Sequence, residues 1–171
     1  LALADKREEI FAELMTYQKN VFLVCLGFSR NASDAQDLAQ EVYLKAYANI
    51  TSLKEPSLAK FWLFRIARNT CLSFQKKMRL DRKSAGELAR HVQNPESPEE
   101  DVIRHEQLLE LKGAIRKLPK KLKDVFVLRE YGDLSYQEIA ETLGIELGTV
   151  MSRLNRARAS IKGKIEGERN V

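Results

Sequence analysis

Cysteine is scarce in this chain: 171 residues hold two, Cys25 and Cys71. They stand far apart in apolar periodic runs, with no CxxC pair, and His91 and His105 are isolated. No metal-ligand spacing exists, so no metal site is expected. Two buried thiols in a reducing cytoplasm are the expected reading, ahead of a disulfide. Proline is limited to four residues, each placed as punctuation. No run approaches the roughly 20 apolar residues of a membrane helix, so no direct membrane insertion is expected. The opening LALADKREE lacks a long apolar core and a basic lead, so it does not read as a signal peptide. A nucleophile and base constellation, a glycine-rich phosphate loop and a strand-like alternation are all missing. No catalytic residue, no cofactor and no enzyme activity are expected.

What is present is helical and mildly basic. Hydrophobic residues make up 44%, enough to build cores, and the net charge is +5 with a pI near 9.2. That balance favours a polyanionic partner. Ile10, Leu14, Tyr17, Val21, Val24 and Phe28 repeat in steps of three and four, predicting one helix that stops where Gly, Ser and Asn cluster. A second helix follows, with Ser33 as its expected N-cap and Leu38, Val42, Ala46 and Ile50 as its buried stripe. A third, from about Ser57 to Met78, is apolar on more than one side and otherwise basic.

From Asp81 to Asp101 the apolar period is lost, and two X-Pro pairs interrupt the segment. Such a stretch buries too little apolar surface to offset the entropy of ordering it. Ser97 and Glu100 resemble a capping box for the next helix. Pro119 ends that helix, and a fifth is expected from Leu122 to Tyr131. The expected fold is all-α: two small helical domains, residues 1–80 and 102–171, joined by a flexible acidic linker at 81–101.

The most informative stretch is SYQEIAETLGIELGTVMSRLNRARA, Ser135 to Ala159. Ser135 and Glu138 form a capping-box pair, Ile139 and Leu143 face inward, and Gly144 suits a turn. Val150 and Leu154 bury the inner face of a second helix. Its outer face offers Thr149, Met151, Ser152, Asn155 and Arg156, with Arg153 and Arg158 beside it. Asn and Arg read base edges by paired hydrogen bonds, whereas Ser, Thr and flanking Arg more often hold phosphates. This is the pattern of a helix-turn-helix. Elsewhere, Asp34, Asp37, Gln40 and Glu41 form a local acidic patch that a basic protein would complement. Asp34 and Asp37 also suit the first turn of a helix, whose macrodipole favours acids.

Three segments carry a resemblance. LREYGDLSYQEIAETLGIELGTVMSRLNRARA is similar to region four of an extracytoplasmic-function sigma factor, a branch of the sigma-70 family. DAQDLAQEVYLKAY resembles the region two helix that grips RNA polymerase, and FWLFRIARN resembles the promoter-melting helix. The resemblance implies a factor that directs core RNA polymerase to promoter DNA, works in the cytoplasm, and is held in check by an anti-sigma factor. It implies polymerase binding by Asp34, Asp37, Gln40 and Glu41. Minus-ten DNA would meet Lys54, Ser57, Trp62, Arg65, Arg68, Asn69, Lys76 and Lys77, with Asn69 at the pocket for a flipped base. The upstream element would meet Arg129, Ser152, Asn155 and Arg156, which stand on matching positions.

The chain departs from the family in two places. Leu53 to Ala59 replaces a loop that usually carries two aromatics and a glycine, so the base-capture pocket is expected to have fewer rings. Met151 replaces a usual Lys or Arg in the recognition helix. The competing reading is a conventional helix-turn-helix regulator with an N-terminal sensor or dimerisation domain. It would need a ligand pocket or a dimer seam, and the N-terminal half shows instead an acidic helix followed by a basic, aromatic one.

Overall fold

The computed structural model describes residues 2–85 and 99–169. These form eight α-helices: α1 Ala2–Met15, α2 Gln18–Phe28, α3 Ala32–Asn49, α4 Ala59–Ser84, α5 Glu99–Arg116, α6 Lys120–Glu130, α7 Tyr136–Leu143 and α8 Leu147–Arg169. Two short 3-10 turns, Ile50–Ser52 and Pro56–Leu58, join α3 to α4. The expected all-helical architecture is therefore present, with a helix-turn-helix in the C-terminal half.

Local chemistry moves several boundaries. The first expected helix divides at Thr16, where the hydroxyl donates to the Glu13 carbonyl at 2.7 Å and the backbone turns. The cap of α3 is Asn31, not Ser33: its side chain accepts the Asp34 amide at 2.8 Å from an extended backbone. Helix α4 continues to Ser84, beyond the expected end at Met78. Arg, Leu and Lys are strong helix formers, and Arg82 and Lys83 sit in the last turn, where cations oppose the macrodipole. Most of the acidic linker, including the expected Ser97 cap, lies outside the described residues.

In the first half, Leu38, Val42, Ala46 and Ile50 are buried as expected, against Val21, Val24 and Phe28 of α2 and Leu63, Phe64 and Ala67 of α4. Cys25 and Cys71 meet in this core as free thiols. The Cys25 thiol beside it and burial push the Cys71 thiol above its usual range. In the second half, Ala114, Ile115, Leu118, Phe126, Ala157 and Ile161 pack α5 and α6 against α8.

The two halves are not separate bodies. One apolar cluster runs from Val24 and Phe28 through Val127 and Leu128 to Ile139 and Leu154. Gly27 makes the crossing of α2 and α6 possible: a Cβ there would stand 2.7 Å from Val127 Cγ1. Polar contacts reinforce the junction. Asn20 donates to the Gly132 carbonyl at 3.0 Å, and Arg65 donates to the carbonyls of Thr142 and Glu141 at 3.0 and 3.1 Å. Lys60 pairs with Glu138, and Arg68 with Asp124.

Candidate nucleic-acid interface

The helix-turn-helix is set by short-range contacts. Ser135 Oγ accepts the Glu138 amide at 3.1 Å, and the Glu138 carboxylate accepts the Ser135 amide at 2.8 Å. Partial burial alone would raise the Glu138 pKa; hydrogen bonds from Lys60 and the Ser135 backbone outweigh it and hold the group below its usual range. Helix α7 ends at Gly144, whose φ of 63° lies in the left-handed region that glycine adopts without strain. Val150, Leu154 and Ala157 then anchor α8.

That anchoring turns Met151, Ser152, Asn155 and Arg156 outward on one exposed strip, with Met151 47% exposed. Thr149 and Arg153 flank it, half-buried. Two other candidates are engaged within the protein. Arg129 donates to the Leu134 carbonyl at 2.8 Å and lies over the Tyr136 ring, bracing the entry to α7. Arg158 pairs with Glu130 at 2.8 Å.

On α3, Asp37, Gln40 and Glu41 are exposed, whereas Asp34 is half-buried and bonded to Asn31. Glu41 already pairs with Lys45 one turn on. The same strip carries Leu44, 72% exposed, and Tyr47, 53% exposed. Sequence reasoning missed both; the available clue was that neither falls on the stripe that includes Val42 and Ala46. Tyr47 packs edge-on against Phe11 and under Arg7, whereas an acidic strip running into the exposed Leu44 suits a protein partner better than a solvated surface.

The basic α4 set divides. Lys54, Ser57, Asn69, Lys76 and Lys77 are exposed, and Trp62 is half-buried against the core. Arg65 and Arg68, however, face α6 and α7, bound as described above. Arg68 also donates to Asn69 Oδ1 at 3.2 Å.

Comparison with known proteins decides what these faces belong to. The family description "Sigma-70 region 2" matches residues 14–80, and "Sigma-70, region 4" matches residues 108–161. The ECF RNA polymerase sigma factor SigW of Bacillus subtilis is 31% identical over 168 residues, spanning 92% of this chain and 90% of its own. The chain is an ECF sigma factor of the sigma-70 family. The RNA polymerase sigma-H factor of Pseudomonas aeruginosa is 33% identical, covering 86% of this sigma factor and 81% of itself. Among solved structures, the sigma factor RpoE of Bartonella quintana, in complex with the anti-sigma factor NepR, superposes with a TM-score of 0.63 at 25% identity, covering 91% of this chain and 95% of that one. CnrH, in complex with the cytosolic domain of CnrY, shares the fold with a TM-score of 0.68 at 20% identity over 92% and 88% of the two chains.

Membership settles the broad function. The sigma factor directs RNA polymerase to promoters through regions 2 and 4 and is not an enzyme; the regulator alternative gives way to it. No helix among the described residues is long and apolar enough to cross a membrane.

Proposed function

We propose that this sigma factor binds core polymerase through the α3 strip and reads the upstream promoter element through α8. Asp37, Gln40 and Glu41 supply charge and amide contacts to polymerase, and Leu44 supplies apolar area. Asp34 supports the strip by fixing the start of α3. Met151, Ser152, Asn155 and Arg156 form the base-reading face, with Thr149, Arg153 and Arg158 on phosphates and Arg129 bracing the approach. Lys54, Ser57, Asn69, Lys76 and Lys77 meet the melted minus-ten region, with Trp62 as a packed support. Arg65 and Arg68 join them once the halves part. The working division is residues 1–80, 81–101 and 102–171. The setting is the cytoplasm, and an anti-sigma factor is the expected regulator, as NepR is the anti-sigma factor in complex with RpoE.

The observation that carries this reading is the orientation of the α8 face: its inner residues are fully buried, so the exposed residues cannot turn inward. Purified chain plus core polymerase should start transcription from a dedicated promoter, and the chain alone should bind that DNA weakly. Tight binding to a palindromic site without polymerase would reject the reading.

Arg156 gives the sharper test. Its guanidinium is exposed, held loosely by the Ser152 carbonyl at 3.4 Å. Arg156→Ala should weaken recognition of the upstream element by about 1–3 kcal/mol if the side chain makes a paired base contact. Run-off transcription on promoters with an intact or a scrambled upstream element measures this. Equal loss on both templates would assign Arg156 to phosphate.

A further inference from the structure

A groove of roughly 530 Å³ opens where the two halves meet, beside the Arg68–Asp124 pair. Helix α4 lines it with Lys76, Arg79 and Arg82. Facing them are Arg116 from α5 and Lys120 and Lys123 from α6, with Arg30 at the α2–α3 turn. Against these seven cations stands one carboxylate, Asp124, which Arg68 already engages. Among the described residues, no ion pair involves any of the seven. The whole chain carries a net charge of +5, so this recess is much more basic than the rest of the molecule.

Lys123 sharpens the point. It is only 8% exposed, and its described contact is the Phe28 ring, 5.9 Å from the ammonium. Burial, followed by the nearby Arg116, pulls its pKa below the ordinary lysine value. Burying a cation is costly, and like charges facing each other across the junction add to that cost, with Asp124 the single carboxylate of the groove to offset it. An anion of high charge density would relieve both.

We propose that this groove binds a polyphosphate chain, free or carried on a nucleoside, and that the ligand ties the two halves together. The volume lies within the roughly 300–1,000 Å³ of small-molecule sites, and a recess this small does not admit a duplex. Guanidinium groups of Arg79, Arg82 and Arg116 supply forked donors to phosphate oxygens, and the lysines supply point charges. The cations come from both halves, so the site is complete only in the closed arrangement. Whatever binds it therefore stabilises closure. The inference needs only the groove and its charges; of these, Lys76 alone is shared with the interface assignments above.

Sodium tripolyphosphate, titrated calorimetrically into the full chain at fixed ionic strength, tests this. The expected result is one site per chain and a melting temperature that rises with ligand, with no comparable effect of sulfate. Arg79→Gln combined with Arg116→Gln should weaken binding by about tenfold per lost contact. Arg30→Gln with Lys120→Gln is measured alongside, so that misfolding of one pair leaves the other informative. Lys162→Gln, on the exposed face of α8, should change nothing. ATP binding more tightly than tripolyphosphate identifies a nucleoside-bearing ligand; equal affinity identifies the bare phosphate chain. Several weak sites, equal weakening by Lys162→Gln, or easy displacement by a short single-stranded oligothymidylate would overturn the proposal.

Discussion

Arg68→Ala is expected to drive the two halves of the protein apart. Arg68 Nε donates to Asp124 Oδ2 at 3.0 Å, and that carboxylate side chain is only 5% exposed. Its other oxygen, Oδ1, has no hydrogen-bond partner among the described residues. Removing the guanidinium leaves a desolvated carboxylate without its hydrogen-bonded partner; breaking a buried pair costs about 3–5 kcal/mol, an upper bound here because Lys123 and the other groove cations still face Asp124. Asp124 sits on α6 and Arg68 on α4, so separation of the halves relieves the cost by hydrating Asp124. Small-angle scattering should show a larger radius of gyration for the variant than for the parent. Arg68→Ala combined with Asp124→Ala should recover part of the loss, because no orphaned charge remains. An unchanged radius in the single variant would show that the apolar junction holds the halves together without the ion pair.

Leu154→Ala should be the most damaging change within the helix-turn-helix. Leu154 is fully buried in the cluster that also contains Ile139, Ala140 and Val150. Truncation loses transfer free energy and leaves a cavity, together about 2–5 kcal/mol. Met151, one turn away and 47% exposed, provides the control. Met151→Ala should change stability by less than about 0.5 kcal/mol. Denaturant melts of both variants measure the contrast. Comparable losses would mean that α8 is seated in a different rotation, and the assignment of its outer face would fall with it.

Much of the helix-turn-helix geometry was legible because its causes are local. Ser135, Glu138 and Gly144 lie within ten positions and specify cap, helix and turn by themselves. The exposure of Asp37, Gln40 and Glu41 on α3 was equally readable, since they lie off the buried stripe. Competition between neighbours hid other features. Asn31 and Ser33 are both competent caps two residues apart, and sequence alone does not choose between them. The apolar stripe of α1 and α2 runs through Thr16 without a break in period, so the turn there left no pattern. The role of Arg65 and Arg68 was out of reach for a different reason. Their partners Thr142 and Asp124 lie 77 and 56 positions away, and nothing near an arginine announces a carbonyl or carboxylate that far along the chain. Lys123 and Asp124 were invisible likewise: charged residues in a helical run read as surface until a second body covers them.

Gly27 has a consequence for how this protein could be tuned. Helices α2 and α6 cross where one of them has no side chain, and a single methyl group there would collide with Val127 and press on Tyr131. Bulk at this position acts on the assembled state alone, because in a splayed molecule the same side chain projects into water. The open and closed populations can thus be rebalanced by volume at one site, with every charge on the surfaces proposed to meet polymerase and DNA left in place.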